Sequence, residues 1–330
     1  MDQTEKRKYL IGYLLNERGE KAEIPPDERS QKRLLRSLFN IRMPKAVSED
    51  FLKVQDEYLQ EETASKGITD IADLKPLQED IYLWQGDITT LKCDVIVNAA
   101  NPKMLGCFIP CHGCIDNVIH TYAGIQLRNA CYELMKEQGY EERTGQAKIT
   151  PAYNLPCRYV IHTVGPIVGG RLTENDCELL KSCYLSCLNE AVKNNLKSIA
   201  FCCISTGEFH FPNDVAAQIA VKTVKEYQKE HDINVIFNVF KDHDHELYNN
   251  LLSDDRAGET FCKKTGVINN GKKQIGSVQR RRAGYHYNDY GVGTETTRRR
   301  QTRKFARARS GSAQLRAKLF VCSDLLGESP

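Results

Sequence analysis

The sequence has no apolar run approaching the roughly 18 consecutive residues that a transmembrane helix needs, so a membrane-spanning protein is excluded. Its first residues, MDQTEKRKYLIGYLLNERGEK, place charges on both sides of a short apolar stretch and offer no small-residue cleavage site. No secretory signal is therefore expected. Neither G-x-G-x-x-G nor G-x-x-x-x-G-K-[ST] occurs, which argues against standard dinucleotide and P-loop sites. These absences predict a cytoplasmic protein, with access to the nucleus through a basic C-terminal segment left open.

Charge is distributed unevenly along the 330 residues, although the formal net charge is only +3. Residues 261–330 carry 16 Lys and Arg against four Asp and Glu, whereas the rest of the chain carries 30 against 39. A segment with so few apolar residues and so much like charge cannot build a core, and we expect a disordered basic tail. A weak electrostatic contact of this tail with nucleic acid is the second interpretation.

Thirteen cysteines are many for a chain without an export signal, and they are expected to be reduced thiols or metal ligands. Most lie in apolar runs, but the segment GCFIPCHGC brings three Cys and one His together. Thiolate and imidazole are ligands that zinc prefers. Cys107, His112 and Cys114 would leave one position open, as catalytic zinc sites do, whereas adding Cys111 would close a four-ligand structural site. Thiols without a metal are the third interpretation.

The order of predicted elements indicates an α/β fold. Residues 1–75 show helical periodicity and predict a helical N-terminal extension. In residues 76–255, short apolar runs such as DVIVNAA and KSIAFCCIS alternate with helical patterns, which predicts a mostly parallel sheet covered by helices on both faces. Residues 256–330 would form the tail. The predicted helices of the central region span residues 116–137, 175–194 and 213–231.

Polar residues follow several predicted strands, where open parallel sheets bind their ligands. Asp87 and Ile88 follow IYLWQG, and the carboxylate could accept a hydrogen bond from a ligand amino group or cap the next turn. Asn98 and Asn101 flank two alanines at the end of DVIVNAAN, where turn asparagines are also common. Asp116 either orients a metal ligand or caps the helix that follows it.

The loop after KSIAFCCI has the composition of an anion site. It contains Ser205, Thr206, Gly207, Glu208 and Phe209 and precedes a predicted helix. Backbone N–H groups of a glycine-containing loop beside a helix N-terminus bind phosphate, and an aromatic ring can stack on a ribose or base.

The ordered motifs QGDIT, VIVNAAN, HTVGP and ISTGEFHFP resemble the macrodomain family, whose members bind ADP-ribose. The segment LGCFIPCHGCIDNVIH resembles the zinc-containing branch of that family, with its ligands at Cys107, His112 and Cys114 and a variable position at Cys111. The resemblance covers about residues 70–255. It implies a three-layer α/β/α fold with a mixed, mostly parallel sheet. It also implies zinc-dependent hydrolysis of mono-ADP-ribose from modified protein side chains, with acidic residues favoured as acceptors because a carboxylate is a good leaving group.

The same resemblance implies roles for single residues. Asp87 would receive the adenine amino group and Ile88 would offer its backbone amide. Asn101 would hold the distal ribose as a catalytic residue, together with Asp116, and residues 205–209 would wrap the pyrophosphate. The alternative is a non-catalytic ADP-ribose reader with a structural zinc.

Overall fold

The structure is a computed structural model that describes residues 1–253, so the predicted tail lies outside the described residues. Within this range the chain forms eight α-helices and eight β-strands. The helices are α1 (Gln3–Glu17), α2 (Glu28–Ile41), α3 (Glu49–Ser65), α4 (Ile115–Ala123), α5 (Ile125–Gln138), α6 (Glu174–Lys193), α7 (Asn213–Gln228) and α8 (Asp242–Ser253). The strands are β1 (Thr69–Asp70), β2 (Ile81–Gln85), β3 (Leu91–Lys92), β4 (Val95–Ala99), β5 (Ala147–Pro151), β6 (Tyr159–Thr163), β7 (Ser198–Phe201) and β8 (Asn234–Val239).

Six strands form the main sheet, in the order β2-β8-β7-β4-β6-β5. All neighbours pair in parallel except β5 and β6, which are antiparallel. Every residue of β7 is buried, as are the first four residues of β4. Strands that are buried on both faces require helices on both faces. The predicted α/β fold with a mixed, mostly parallel sheet is therefore confirmed.

The helix predicted over residues 116–137 is in fact two helices, α4 and α5, separated by Gly124. Gly124 has φ +90°, a backbone conformation that side chains rarely adopt. A Cβ there would also lie 2.7 Å from the side chains of Gln55 and Gln126. The periodicity of the two apolar faces is continuous enough to suggest one helix, but the glycine breaks it.

The N-terminal extension is helical, as predicted, and has a hydrophobic cluster of its own. That cluster joins apolar side chains of α1, α2 and α3 to one residue of α5, Ile125. Arg128 of α5 fixes the end of α2, because its Nη1 donates to the carbonyl oxygens of Phe39, Asn40 and Arg42 at 2.9, 2.8 and 2.6 Å. The extension thus packs directly on the α/β region. The domain boundaries placed at residues 75/76 and 255/256 stay predictions.

The parallel strands β2, β8, β7, β4 and β6 end at one edge of the sheet, and the loops that follow them meet there. A hydrophobic core spans this sheet and the helices that pack on it. No helix within residues 1–253 is long and apolar enough to cross a membrane.

Candidate functional site

Asp87 lies just beyond β2 and caps the short 3-10 turn Ile88–Thr90. Its Oδ1 accepts from the backbone N and the Oγ1 of Thr89, at 3.0 and 2.6 Å. Its Oδ2 accepts from Lys66 Nζ at 2.9 Å. Burial disfavours the charged form, but the hydrogen bonds from Thr89 and Lys66 outweigh it and lower the pKa of Asp87. The carboxylate is thus a fixed, ionised acceptor as well as a cap.

An exposed aromatic residue follows the strand that pairs with β2. Phe240 follows β8, is 76% exposed, and is adjacent to Val239, which pairs with Gln85 of β2. The backbone of Gly86 donates to Val239 O at 3.0 Å, which keeps the two strand ends together. Phe240 was not predicted as a site residue. Its position at the end of the apolar run INVIFNVF, where a predicted strand ends, could have indicated it.

Asn101 and Asp116 come together beyond β4. Asn101 Nδ2 donates to Asp116 Oδ2 at 3.2 Å and to the carbonyl oxygen of Gly106 at 3.0 Å. Asn98 Nδ2 donates to the other oxygen, Asp116 Oδ1, at 2.8 Å. Burial raises the pKa of Asp116 to about 6. The Asn101 amide is therefore held by a buried carboxyl group as well as by a local turn, in which its Oδ1 accepts from Lys103 N at 3.1 Å.

A buried chain of polar groups continues from Asn98 into the core. Asn98 Nδ2 contacts His162 Nδ1 at 3.1 Å, and His162 Nε2 contacts Thr150 Oγ1 at 2.9 Å. His120, Cys131 and His162 also place their donor atoms within 4.8 Å of one another. Because both His162 nitrogens already have partners, we interpret His162 as part of an internal hydrogen-bond network, whereas the His120 nitrogens have no hydrogen-bond partner among the described residues. Burial lowers the pKa of His162 to about 4.

The three predicted metal ligands converge in residues 107–114, which we call the metal loop. The donor atoms of Cys107, His112 and Cys114 all lie within 4.8 Å of one another. Cys107 Sγ is 3.6 Å from His112 Nδ1, close to the roughly 3.5 Å between sulfur and nitrogen ligands around a tetrahedral zinc ion. The thiols of Cys107 and Cys114 share a hydrogen bond, which lowers the pKa of Cys107 and raises that of Cys114. Soft donors at this separation fit zinc.

The remaining cysteine of the metal loop, Cys111, faces elsewhere. Cys111 has φ +55°, and its thiol donates to the carbonyl oxygen of Arg33 at 3.3 Å. Its backbone N donates to Asn40 Oδ1 at 2.8 Å. Helix α2 therefore holds the loop on the side away from the three converging ligands.

The loop of residues 205–209 faces the metal loop across the site. Ser205 has φ +66°, and its buried Oγ has no hydrogen-bond partner among the described residues. Phe209 O accepts from Val168 N at 2.9 Å, which ties this loop to the segment after β6. Glu208 Oε1 lies 3.6 Å from His112 Nε2. Polar residues after β2, β4 and β7 thus lie at the carboxyl edge of the sheet, where open α/β sheets bind their ligands.

Known proteins are similar to this chain in sequence and in fold. The Macro domain family matches residues 97–220. A protein-ADP-ribose hydrolase of Treponema medium is 57% identical over 261 residues, which cover 77% of this chain and 100% of that protein. One of Staphylococcus aureus strain MRSA252 is 48% identical over 253 residues, or 75% of this chain and 95% of the relative. The crystal structure of the Trypanosoma brucei macrodomain in complex with ADP-ribose superposes with a TM-score of 0.51 at 30% identity, covering 70% of this chain and 97% of that one. The chain belongs to the Macro domain family.

Proposed function

We propose that this protein is a zinc-dependent hydrolase that removes mono-ADP-ribose from modified protein side chains, with acidic residues as the acceptors. The predicted hydrolase class is confirmed by the Treponema and Staphylococcus relatives, which are protein-ADP-ribose hydrolases and match most of the chain. Zinc dependence rests on one observation. The structure brings together the donor atoms of Cys107, His112 and Cys114, while the Cys111 thiol is hydrogen-bonded to a backbone carbonyl of α2.

The adenine end of the ligand is assigned to the loop after β2. The Asp87 carboxylate would accept from the adenine amino group, and Ile88 would offer its backbone N–H to the ring. Phe240 is exposed at the end of the neighbouring strand β8 and would offer a ring on which the purine can stack. A fixed, ionised acceptor next to an aromatic surface is suited to recognise adenine by its hydrogen bonds as well as by its shape.

The other end of ADP-ribose would extend toward the metal loop. Residues 205–209 would receive the pyrophosphate through backbone N–H groups, and the Ser205 hydroxyl adds a donor. Asn101 would hold the distal ribose, since Asp116 and the carbonyl of Gly106 fix its amide next to Cys107. Holding the ribose in one orientation lowers the entropic part of the barrier.

Cleavage would break the bond between the anomeric carbon of the distal ribose and the acceptor oxygen, through an oxocarbenium-like transition state. A zinc ion held by Cys107, His112 and Cys114 would supply Lewis-acid chemistry, either polarising the leaving oxygen or lowering the pKa of a bound water. Asp116 would act through Asn101, which it keeps in place by its hydrogen bond.

The test is release of ADP-ribose from a protein modified on a carboxylate side chain. The wild-type protein should release it, lose this activity to a chelator and regain it with zinc. Cys114→Ala should be inactive, whereas Cys111→Ala, a matched change in the same loop, should stay active. Binding of ADP-ribose without any release would instead favour a reader with a structural zinc.

A further inference from the structure

We propose that the N-terminal helices are a positioning part of the site, acting through Arg36 at the metal loop and through Lys66 at the adenine carboxylate. This inference rests on the proposed function, which assigns zinc to the metal loop and adenine to Asp87. The two contacts lie at opposite ends of the ligand path and come from different helices, so each can be tested without the other.

Arg36 of α2 contacts the metal loop and the start of α4 with one guanidinium group. Its Nη2 donates to His112 O at 2.7 Å and to Asn117 Oδ1 at 2.9 Å. The amide of Asn117 in turn donates to Ile109 O at 3.0 Å and to Cys107 O at 3.4 Å. Hydrogen bonds from a charged donor are stronger than neutral ones. A single side chain thus sets the backbone position of one ligand directly and of another through Asn117.

The placement of α2 does not depend on Arg36. Asn40 Nδ2 donates to Thr121 Oγ1 at 3.0 Å, and Arg128 binds three carbonyl groups at the end of the helix. Phe39 and Leu38 are buried in the hydrophobic cluster of the extension. Removing the Arg36 guanidinium should therefore loosen the backbone at His112 and Cys107 without undocking the helix, while α2 still holds Cys111.

Lys66 lies at the C-terminal end of α3 and holds the carboxylate that the adenine would meet. Its Nζ is 2.9 Å from Asp87 Oδ2 and 3.3 Å from the ring centroid of Tyr122 in α4. Thr89 binds the other oxygen, Oδ1. Because a carboxylate oxygen accepts more than one hydrogen bond, Oδ2 can take the adenine amino group while Lys66 keeps it in place.

The chemistry of position 6 of the purine reports on this contact. Adenine carries an amino donor there, whereas hypoxanthine carries an oxygen that a carboxylate repels. The dissociation constant for ADP-ribose divided by that for inosine diphosphate ribose, which we call the purine ratio, therefore measures how well Asp87 is held. Loss of a purely structural contact would weaken both ligands equally and leave the ratio unchanged.

The experiment compares Arg36→Met, Arg36→Lys, Lys66→Met and Lys66→Arg in the full chain, loaded with zinc. Two controls remove other lysines that form ion pairs. Lys32→Met lies on α2 and loses pairs with Glu28 and Glu62, and Lys92→Met loses a pair with Asp70. The readouts are the rate of zinc transfer to a chelator and the purine ratio by calorimetry, with a thermal melt of each variant.

We expect Arg36→Met to lose zinc ~10-fold faster with an unchanged purine ratio, the size expected when a charged hydrogen bond is removed. Lys66→Met should raise the purine ratio about 10-fold toward one, with zinc transfer unchanged. The conservative variants Arg36→Lys and Lys66→Arg should recover part of each effect, and both controls should behave like wild type.

Variants of Arg36 and Lys66 that match the controls in both readouts would overturn the inference. So would variants that change both readouts together with a large drop in melting temperature, because the helices would then act only through stability. A wild-type protein that holds no zinc and does not bind ADP-ribose would overturn the proposed function, and this inference with it.

Discussion

Replacing Asp87 by alanine removes the charged acceptor that we assign to the adenine amino group. The side chain accepts three hydrogen bonds in the structure, two from Thr89 and one from Lys66, so its orientation is fixed before any ligand arrives. An acceptor that is already oriented contributes most of its hydrogen-bond energy to binding, because little conformational freedom is lost when the ligand arrives.

The expected loss is about 10- to 100-fold in ADP-ribose affinity. A hydrogen bond to a charged group contributes roughly 1.5–3 kcal/mol, and each ~1.4 kcal/mol corresponds to a tenfold change in dissociation constant. Isothermal titration calorimetry with free ADP-ribose measures this directly. The variant also loses a cap of a short turn, which should lower the free energy of unfolding by roughly 0.5–2 kcal/mol.

Asp70 supplies a closely matched control for the structural part of this change. It caps the 3-10 turn Ile71–Asp73, accepts from Ala72 N at 3.0 Å, and pairs with Lys92 at 2.7 Å. Asp70→Ala therefore removes the same kinds of contact as Asp87→Ala without touching the adenine site. It should lower stability by a similar amount and leave ADP-ribose affinity unchanged. Equal affinities for Asp87→Ala and wild type would refute the adenine assignment.

The remaining predictions concern the metal loop and the buried histidine. Cys114→Ala should lose bound zinc and Cys111→Ala should keep it, as measured by metal analysis; undiminished zinc in Cys114→Ala would contradict the three-ligand site. Cys107→Ala and His112→Ala should retain much of the affinity for free ADP-ribose but lose single-turnover hydrolysis, because the metal acts mainly in the transition state. Wild-type turnover in either variant, with a normal melt, would rule out a catalytic metal. Burial lowers the pKa of His162 from 6.5 to about 4, so the unfolded chain takes up its proton first and stability falls as pH drops from 6.5 toward 4. His162→Gln should reduce this fall by roughly 3 kcal/mol in urea titrations across that range, and an unchanged slope would disprove it.

The sequence predicted the fold, and it predicted which polar residues lie close to strand ends. The runs DVIVNAA and KSIAFCCIS are apolar throughout, and β4 and β7 are buried at nearly every position. Asp87 and Asn101 each come two residues after the end of a strand, β2 and β4, so a pattern within a few residues is enough to place them at the carboxyl edge of the sheet. Cys107, His112 and Cys114 were predictable for the same reason, since their spacing along the chain is short.

Contacts between distant segments were not predictable. Arg36 and Asn117 are separated by 81 positions, and Arg36 differs in no visible way from the other basic residues of KRLLRSLFN. Periodicity shows which face of α2 is apolar but not which charged residue at its margin meets another loop. The contact between Lys66 and Asp87 was not predictable for the same reason, because it depends on where α3 ends relative to β2. These are the residues through which the extension reaches the site.

The side chain of Glu208 has a different role from the rest of its loop. It lies in the loop that was predicted to wrap a pyrophosphate, where a second negative charge is unfavourable. The structure turns its carboxylate toward His112 Nε2, at 3.6 Å, while Cys107 contacts Nδ1 of the same ring. A carboxylate on the far nitrogen of a metal-binding histidine orients that ring. If residues 205–209 bind the pyrophosphate as proposed, Glu208 would contribute only its backbone N–H, while its side chain connects that loop to the metal loop.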